Sequence, residues 1–127
     1  MSTTELDNLQ LNEAVQRYFE VLYMCDLSIF DKLFHPACHL FTVTDGAASV
    51  LSLAAYRDIL EKRASPKSQG AAREETVLGV QALTQDIAMV QVRVRVATKV
   101  FRDHLHFIRS KGQWYLASKL YTLEQSA

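Results

Sequence analysis

Residues 87–121 limit what this chain can fold into more than any other stretch, because their apolar residues recur with a period of two through three successive segments. Val90, Val92, Val94 and Val96 alternate with Gln91, Arg93 and Arg95, as in a strand with one buried face. A turn at Ala97-Thr98 would return Phe101, Asp103, Leu105 and Phe107 to that face. A second at Lys111-Gly112 would return Trp114, Leu116, Ser118 and Leu120. Asp103 interrupts the pattern and puts one carboxylate where the core is expected. A carboxylate there must be paired, hydrogen-bonded or protonated, since burial disfavours its charge.

The remaining chain reads as what covers that sheet. In residues 9–24, Leu11, Val15, Tyr18 and Leu22 recur at helical spacing, widened by Phe19 and Tyr23, with a frayed segment ahead. Asp26 is placed to cap a second helix, and Ser28 with Asp31 has the spacing of a capping box. Phe34-His35-Pro36 ends that helix, and His35 there suits the helix dipole. Residues 38–44 and 48–51 read as a hairpin around Asp45-Gly46. Ser52 caps a third helix that turns Leu53, Tyr56, Ile59 and Leu60 inward and carries Lys62 and Arg63 in its last turn, where cations suit the dipole. Residues 65–72 form a lid or connection, and strands are expected at 73–83, 87–97, 100–109 and 113–122.

The fold class is therefore α+β, with three N-terminal helices packed on a strongly curved, mostly antiparallel six-stranded sheet. Such a sheet wrapped on a long helix leaves a cone whose mouth is a pocket. A chain of 127 residues makes one domain, 1–127, because either half alone is too small for a core.

Composition narrows the function classes. Fourteen basic residues balance fourteen acidic ones, which argues against a nucleic-acid or membrane-surface protein. No apolar run is long enough to cross a bilayer. The first residues lack the basic start and apolar stretch of a signal peptide, so a cytoplasmic location is the expectation. Cys25 and Cys38 lack metal-ligand spacing and read as reduced thiols. No phosphate loop, dinucleotide fingerprint or zinc motif is present, so neither metal nor cofactor is expected.

Several local motifs resemble the nuclear transport factor two-like superfamily, which has a cystatin-like α+β cone and includes ketosteroid isomerase, scytalone dehydratase and polyketide cyclases. They are Tyr18-Phe19, Phe34-His35-Pro36-Ala37, the run Phe101 to Leu105, and Lys111 to Lys119 with Trp114 at its centre. Within that superfamily the chain is similar to the small bacterial proteins that carry a lumazine-binding label. The resemblance implies a homodimer and a pocket between sheet and helices. It covers nearly the whole chain and specifies the fold better than any activity.

Asp103 is the leading site residue. By resemblance to ketosteroid isomerase it would be a general base; the other reading is an aspartate held by a helix tyrosine. Tyr18, Tyr23 and Tyr56 come from sheet-facing helices and each brings one hydrogen-bonding tip, while Trp114 would add an aromatic wall. His39, if inward, would form an acid/base dyad with Asp103. The outer face would carry Arg93, Arg95, Arg102, His104, His106 and Lys119 with Ile108, Tyr115 and Tyr121, a mixture that suits a subunit interface better than a base-stacking surface. A β-bulge near Trp114 would instead bring Lys119 inside beside Asp103. The expected function is binding of a small apolar or aromatic ligand by a homodimer. The alternatives are a cofactor-independent isomerase, dehydratase or cyclase, and a non-catalytic assembly module.

Overall fold

Hairpin turns set the order of the sheet. In the computed structural model, which describes residues 3–126 and side-chain surroundings for residues 8–124, β1 (Phe34–Thr44) turns into β2 (Ala47–Ser52) through Asp45-Gly46. β5 (Lys99–Ser110) turns into β6 (Gln113–Ser126) through Lys111-Gly112. All four turn residues have positive φ, between 52° and 78°, the mirror-image turn whose twist matches the flanking strands. β3 (Glu75–Thr84) joins β4 (Ile87–Val96), and β4 joins β5 at Ala97-Thr98. The strands lie in the order β2-β1-β6-β5-β4-β3. Only β1 against β6 is parallel among these neighbours.

Three helices, α1 (Thr3–Met24), α2 (Leu27–Leu33) and α3 (Leu53–Lys62), cover the inner face. Tyr18, Phe19 and Leu22 of α1, Phe30 and Leu33 of α2, and Tyr56 and Leu60 of α3 are buried against Val90, Val92, Val94, Leu105, Phe107 and Leu116. Phe30 stacks on Phe34 with ring centroids 4.2 Å apart, tying the end of α2 to the start of β1. Ile59, expected inward, is 38% exposed.

Local chemistry moves several boundaries. α1 begins at Thr3 rather than near residue 9, so the segment expected to fray is helical from Thr3, and residues 1–2 lie outside those described. Asp26 caps α2, accepting from the amides of Ser28 and Ile29 at 2.9 and 3.1 Å. Ser28 therefore lies inside the first turn and the Ser28/Asp31 capping box does not form. Asp31 instead takes both Nε and Nη2 of Arg57 at 2.8 and 2.9 Å, clasping α2 to α3. His35 does not cap the helix carbonyls. Its Nδ1 accepts from the Ala37 amide at 3.0 Å. The connection after α3 contains a short 3-10 turn, Lys67–Gln69, and is pinned by the Tyr23 hydroxyl, which donates to the Ala71 carbonyl at 2.9 Å.

The largest departure is in β6. His106 pairs with Ser118, but its neighbour Phe107 pairs with Leu116, leaving Ala117 as an extra residue. A bulge of this kind reverses which side chains face the core. Before it, Trp114 and Leu116 are buried; beyond it, Lys119 is buried and Leu120 is 45% exposed. Ser118 turns outward, where its hydroxyl lies 2.8 Å from His106 Nδ1. Ser118 and Leu120 are thus on the face opposite to the one regular alternation gives, and the bulge expected near Trp114 sits at Ala117.

Candidate functional site

The bulge brings a cation to Asp103, the one buried carboxylate among the described residues. Asp103 lies across from Val92 on β4 and Tyr121 on β6, and only 1% of it is exposed. Its Oδ2 accepts a hydrogen bond from the Tyr18 hydroxyl at 2.5 Å and lies 3.7 Å from Lys119 Nζ. Its Oδ1 is buried and has no hydrogen-bond partner among the described residues. A buried charged oxygen left in this state is costly.

Three phenol rings surround the ammonium of Lys119. Its Nζ is 5.1 Å from the ring centre of Tyr18 and 5.3 Å from those of Tyr56 and Tyr121, distances at which ring faces attract a cation. Burial works against the charge on Lys119, but Asp103 and Tyr56 outweigh it and raise its pKa. Burial, then the Asp103 charge, lift the Tyr18 phenol well above its usual value. Tyr18 is therefore a fixed donor and Lys119 a fixed cation at neutral pH. The nearby Cys38 thiol is pushed up to about 11 by burial, with Lys119 opposing, so it remains a thiol.

Asp103, Lys119, Tyr56 and Tyr121 line a cavity of about 200 Å³. Leu22, Leu40, Leu51, Val94, Val96 and Phe101 supply its apolar walls, and Ile59 and Arg63 of the α3 end complete the lining. It is smaller than the roughly 300–1,000 Å³ of most ligand pockets, which suits a single ring better than a polycyclic body.

The structure brings together only part of the expected residue set. Tyr18, Tyr56 and Asp103 meet. His39 does not join them: it is exposed, and its Nδ1 lies 2.8 Å from the Ala37 carbonyl. The His39–Asp103 dyad is therefore not formed. Tyr23 holds the 3-10 connection and sits under the Arg73 guanidinium, 5.3 Å from its ring centre. Trp114 lies toward the other end of the sheet, beneath Arg109 at 5.4 Å, and is not in the cavity lining. Residues 65–72 contribute nothing to that lining either, so they serve as a connection rather than a lid.

Three lining residues escaped the sequence pattern. Regular alternation puts Lys119 and Tyr121 on the outer face, and only the alternative of a bulge near Trp114 brings Lys119 inside beside Asp103, which is where the structure has it. Arg63 was explained by the α3 dipole, and nothing in its spacing pointed to a cavity. Chemically, the site offers an acceptor in Asp103 Oδ1, a cation in Lys119 and apolar walls between them and Arg63.

Residues 7–122 match the family described as "Putative lumazine-binding". Among curated proteins, none matches. Solved structures show the same fold. An NTF2-like protein of unknown function from Shewanella baltica superposes with a TM-score of 0.85 at 16% identity, covering 99% of this chain and 100% of that one. One from Silicibacter pomeroyi gives 0.79 at 21% identity, with 98% and 100% covered. A ketosteroid isomerase-like protein from Erwinia carotovora atroseptica gives 0.71 at 12% identity, with 92% and 95% covered.

Proposed function

The chain belongs to the lumazine-binding-labelled family of the nuclear transport factor two-like superfamily, and on that premise we propose that it binds a compact small molecule through Asp103 and Lys119. The observation that carries this reading is that Asp103 lines the cavity while its buried Oδ1 has no hydrogen-bond partner among the described residues. A ligand N–H or O–H supplies the bond that the fold leaves unmade, and the surrounding apolar walls strengthen it by excluding water. The family label points the same way, toward a small ring with polar edges.

Ligand occupancy stabilises the native state by mass action. A thermal-shift screen of pteridine-like rings and substituted phenols should therefore give hits on the wild type that vanish in Asp103→Asn, with the variant still folded by circular dichroism. Hits of equal size in both proteins would remove Asp103 from the binding account.

A second reading rests on the same oxygen. Oδ1 can take a proton from a bound ligand while Lys119, which lines the same cavity, stabilises the charge that remains on it, as a cofactor-independent isomerase, dehydratase or cyclase requires. It predicts that Asp103→Asn retains ligand but exchanges no proton with solvent deuterium.

The outer sheet face supports pairing of two copies. Val50, Phe41 and Leu120 are aligned across β2, β1 and β6 and are 52%, 40% and 45% exposed. Arg93 and Arg95, by contrast, are occupied within the chain by Glu124 and Glu74. Phe41→Arg should convert a dimer to a monomer in light scattering, whereas Arg93→Glu should not; a monomeric wild type would end this part of the reading.

A further inference from the structure

Arg63 sits at the end of α3, where a cation suits the dipole, but it also lines the cavity and holds no carboxylate among the described residues. It follows α3 as its C-cap, its backbone amide bonding to the Ile59 carbonyl, and it is half-buried. Its guanidinium has no hydrogen bond or ion pair among the described residues, whereas Arg57, Arg73, Arg93 and Arg95 each hold a carboxylate. Arg63 lines the same cavity as Asp103 and Lys119, so the lining holds two cations against one carboxylate.

We infer that the ligand is a compact organic acid, with a hydroxyl at one end and a carboxylate at the other. The inference rests on the binding reading above and adds the chemical class. A hydroxyl is the smallest group that can donate to Asp103 Oδ1 and also accept from the Lys119 ammonium; an aliphatic amine would set a second cation beside Lys119. The apolar walls take a ring or short hydrocarbon body. Arg63 then binds the acid through its planar fork of N–H donors, which matches a carboxylate. One excess positive charge calls for a monoanion, which a carboxylate supplies and a phosphate monoester, at nearly two charges, exceeds. The cavity of about 200 Å³ suits one ring with two short substituents.

The test uses the full-length protein and isothermal titration with 4-hydroxybenzoate, 4-hydroxyphenylacetate and 3-(4-hydroxyphenyl)propionate. Each is paired with its methyl ester and with its analogue lacking the hydroxyl. In the wild type the best acid should bind about tenfold more tightly than its ester, the scale of one charge-assisted contact, and the analogue without hydroxyl should bind as weakly as the ester or worse. In Arg63→Gln the acid and ester should come within about twofold, with the melting temperature unchanged because Arg63 holds no hydrogen-bond or ion-pair partner among the described residues. An ester that equals its acid in the wild type, or a preference that survives Arg63→Gln, overturns the acid class while leaving the Asp103 binding site standing. Failure of every acid and every ester to bind the wild type overturns both.

Discussion

The two halves of β6 face the same interior and make opposite things of it. Before Ala117, Trp114 and Leu116 meet Phe107 in an apolar end that is closed by α1 and α2. Beyond it, Lys119 and Tyr121 meet Asp103, and the interior opens into a cavity. The strand is continuous and the partner strand β5 keeps regular alternation throughout, so the difference comes from one inserted residue. A bulge lets a single strand contribute to a core at one end and to a polar site at the other. The apolar half holds the fold together, and the polar half carries a cost that binding can relieve.

Deleting Ala117 is the most drastic way to break this contrast. Without the bulge, regular pairing either turns Lys119 and Tyr121 outward, orphaning Asp103, or turns Trp114 and Leu116 into water. Either outcome should cost more than about 4 kcal/mol, since each combines an unpaired buried charge or lost core with a shifted register. Urea unfolding at neutral pH measures it. A deletion variant of near-native stability would mean that the bulge is dispensable to the fold.

Single substitutions then separate the two ends by mechanism. Phe107→Ala removes a fully buried ring from the closed end and should cost about 3–5 kcal/mol through lost transfer energy and a cavity. Lys119→Met should cost about 3 kcal/mol, and for a different reason: it takes the cation away from a buried carboxylate. The two costs part company in a double variant. Adding Asp103→Leu to Lys119→Met should recover most of the loss, because replacing both charges with apolar groups removes the desolvation penalty. No second polar-to-apolar change should rescue Phe107→Ala. If the double variant is no more stable than the single, the buried pair is not the source of the cost.

A smaller effect, specific to the open end, is alkaline sensitivity. Lys119 and Tyr18 both have pKa values raised in the folded state. At a pH below their unfolded values, near 10, both states hold these protons, their contribution to stability is fully present and it does not change with pH. As the pH rises further, the unfolded chain loses protons that the native state retains, so stability falls. Denaturation at pH 9 and 11 should show this slope in the wild type and in Phe107→Ala, and a shallower one in Lys119→Met and Tyr18→Phe. Equal slopes in all four proteins would place the alkaline response elsewhere.

The same contrast explains how far the amino-acid sequence could be read. β4 and β5 keep strict alternation, so Val90 to Val94 and Asp103 to Phe107 faced where the pattern put them, and the hairpin residues placed the turns. Helix α1 was legible from Leu11, Val15, Tyr18 and Leu22 because a surface helix needs an apolar stripe whatever its partner. In β6 the pattern failed at Ala117, because alanine fits either face and leaves no mark of an insertion. Regular alternation therefore put Ser118, Leu120 and Tyr121 on the wrong side, and Lys119 came inside only under the bulged alternative. His39 was undecidable for a related reason. β1 begins irregularly between Phe34 and His39, so counting from its well-defined end did not fix its start.

The turns at the two ends of β5 offer the finest test of the contrast. At the closed end, Gly112 takes φ of 77°, which glycine adopts without penalty; at the open end, Ala97 is held at φ of 56°. For alanine, left-handed backbone costs about 1–2 kcal/mol, while changing it to glycine frees the unfolded chain by roughly 0.4–1 kcal/mol. Ala97→Gly should therefore stabilise the protein by about 0.5 kcal/mol or slightly more, with ligand affinity unchanged because Ala97 is outside the cavity lining. The matching change at the other end, Gly112→Ala, introduces the strain that Ala97 carries and should destabilise by a similar margin. If Ala97→Gly instead weakens ligand binding, the strained turn is what holds Val96 and Phe101 in place on either side of it, and the open end is shaped by its backbone as well as by the bulge.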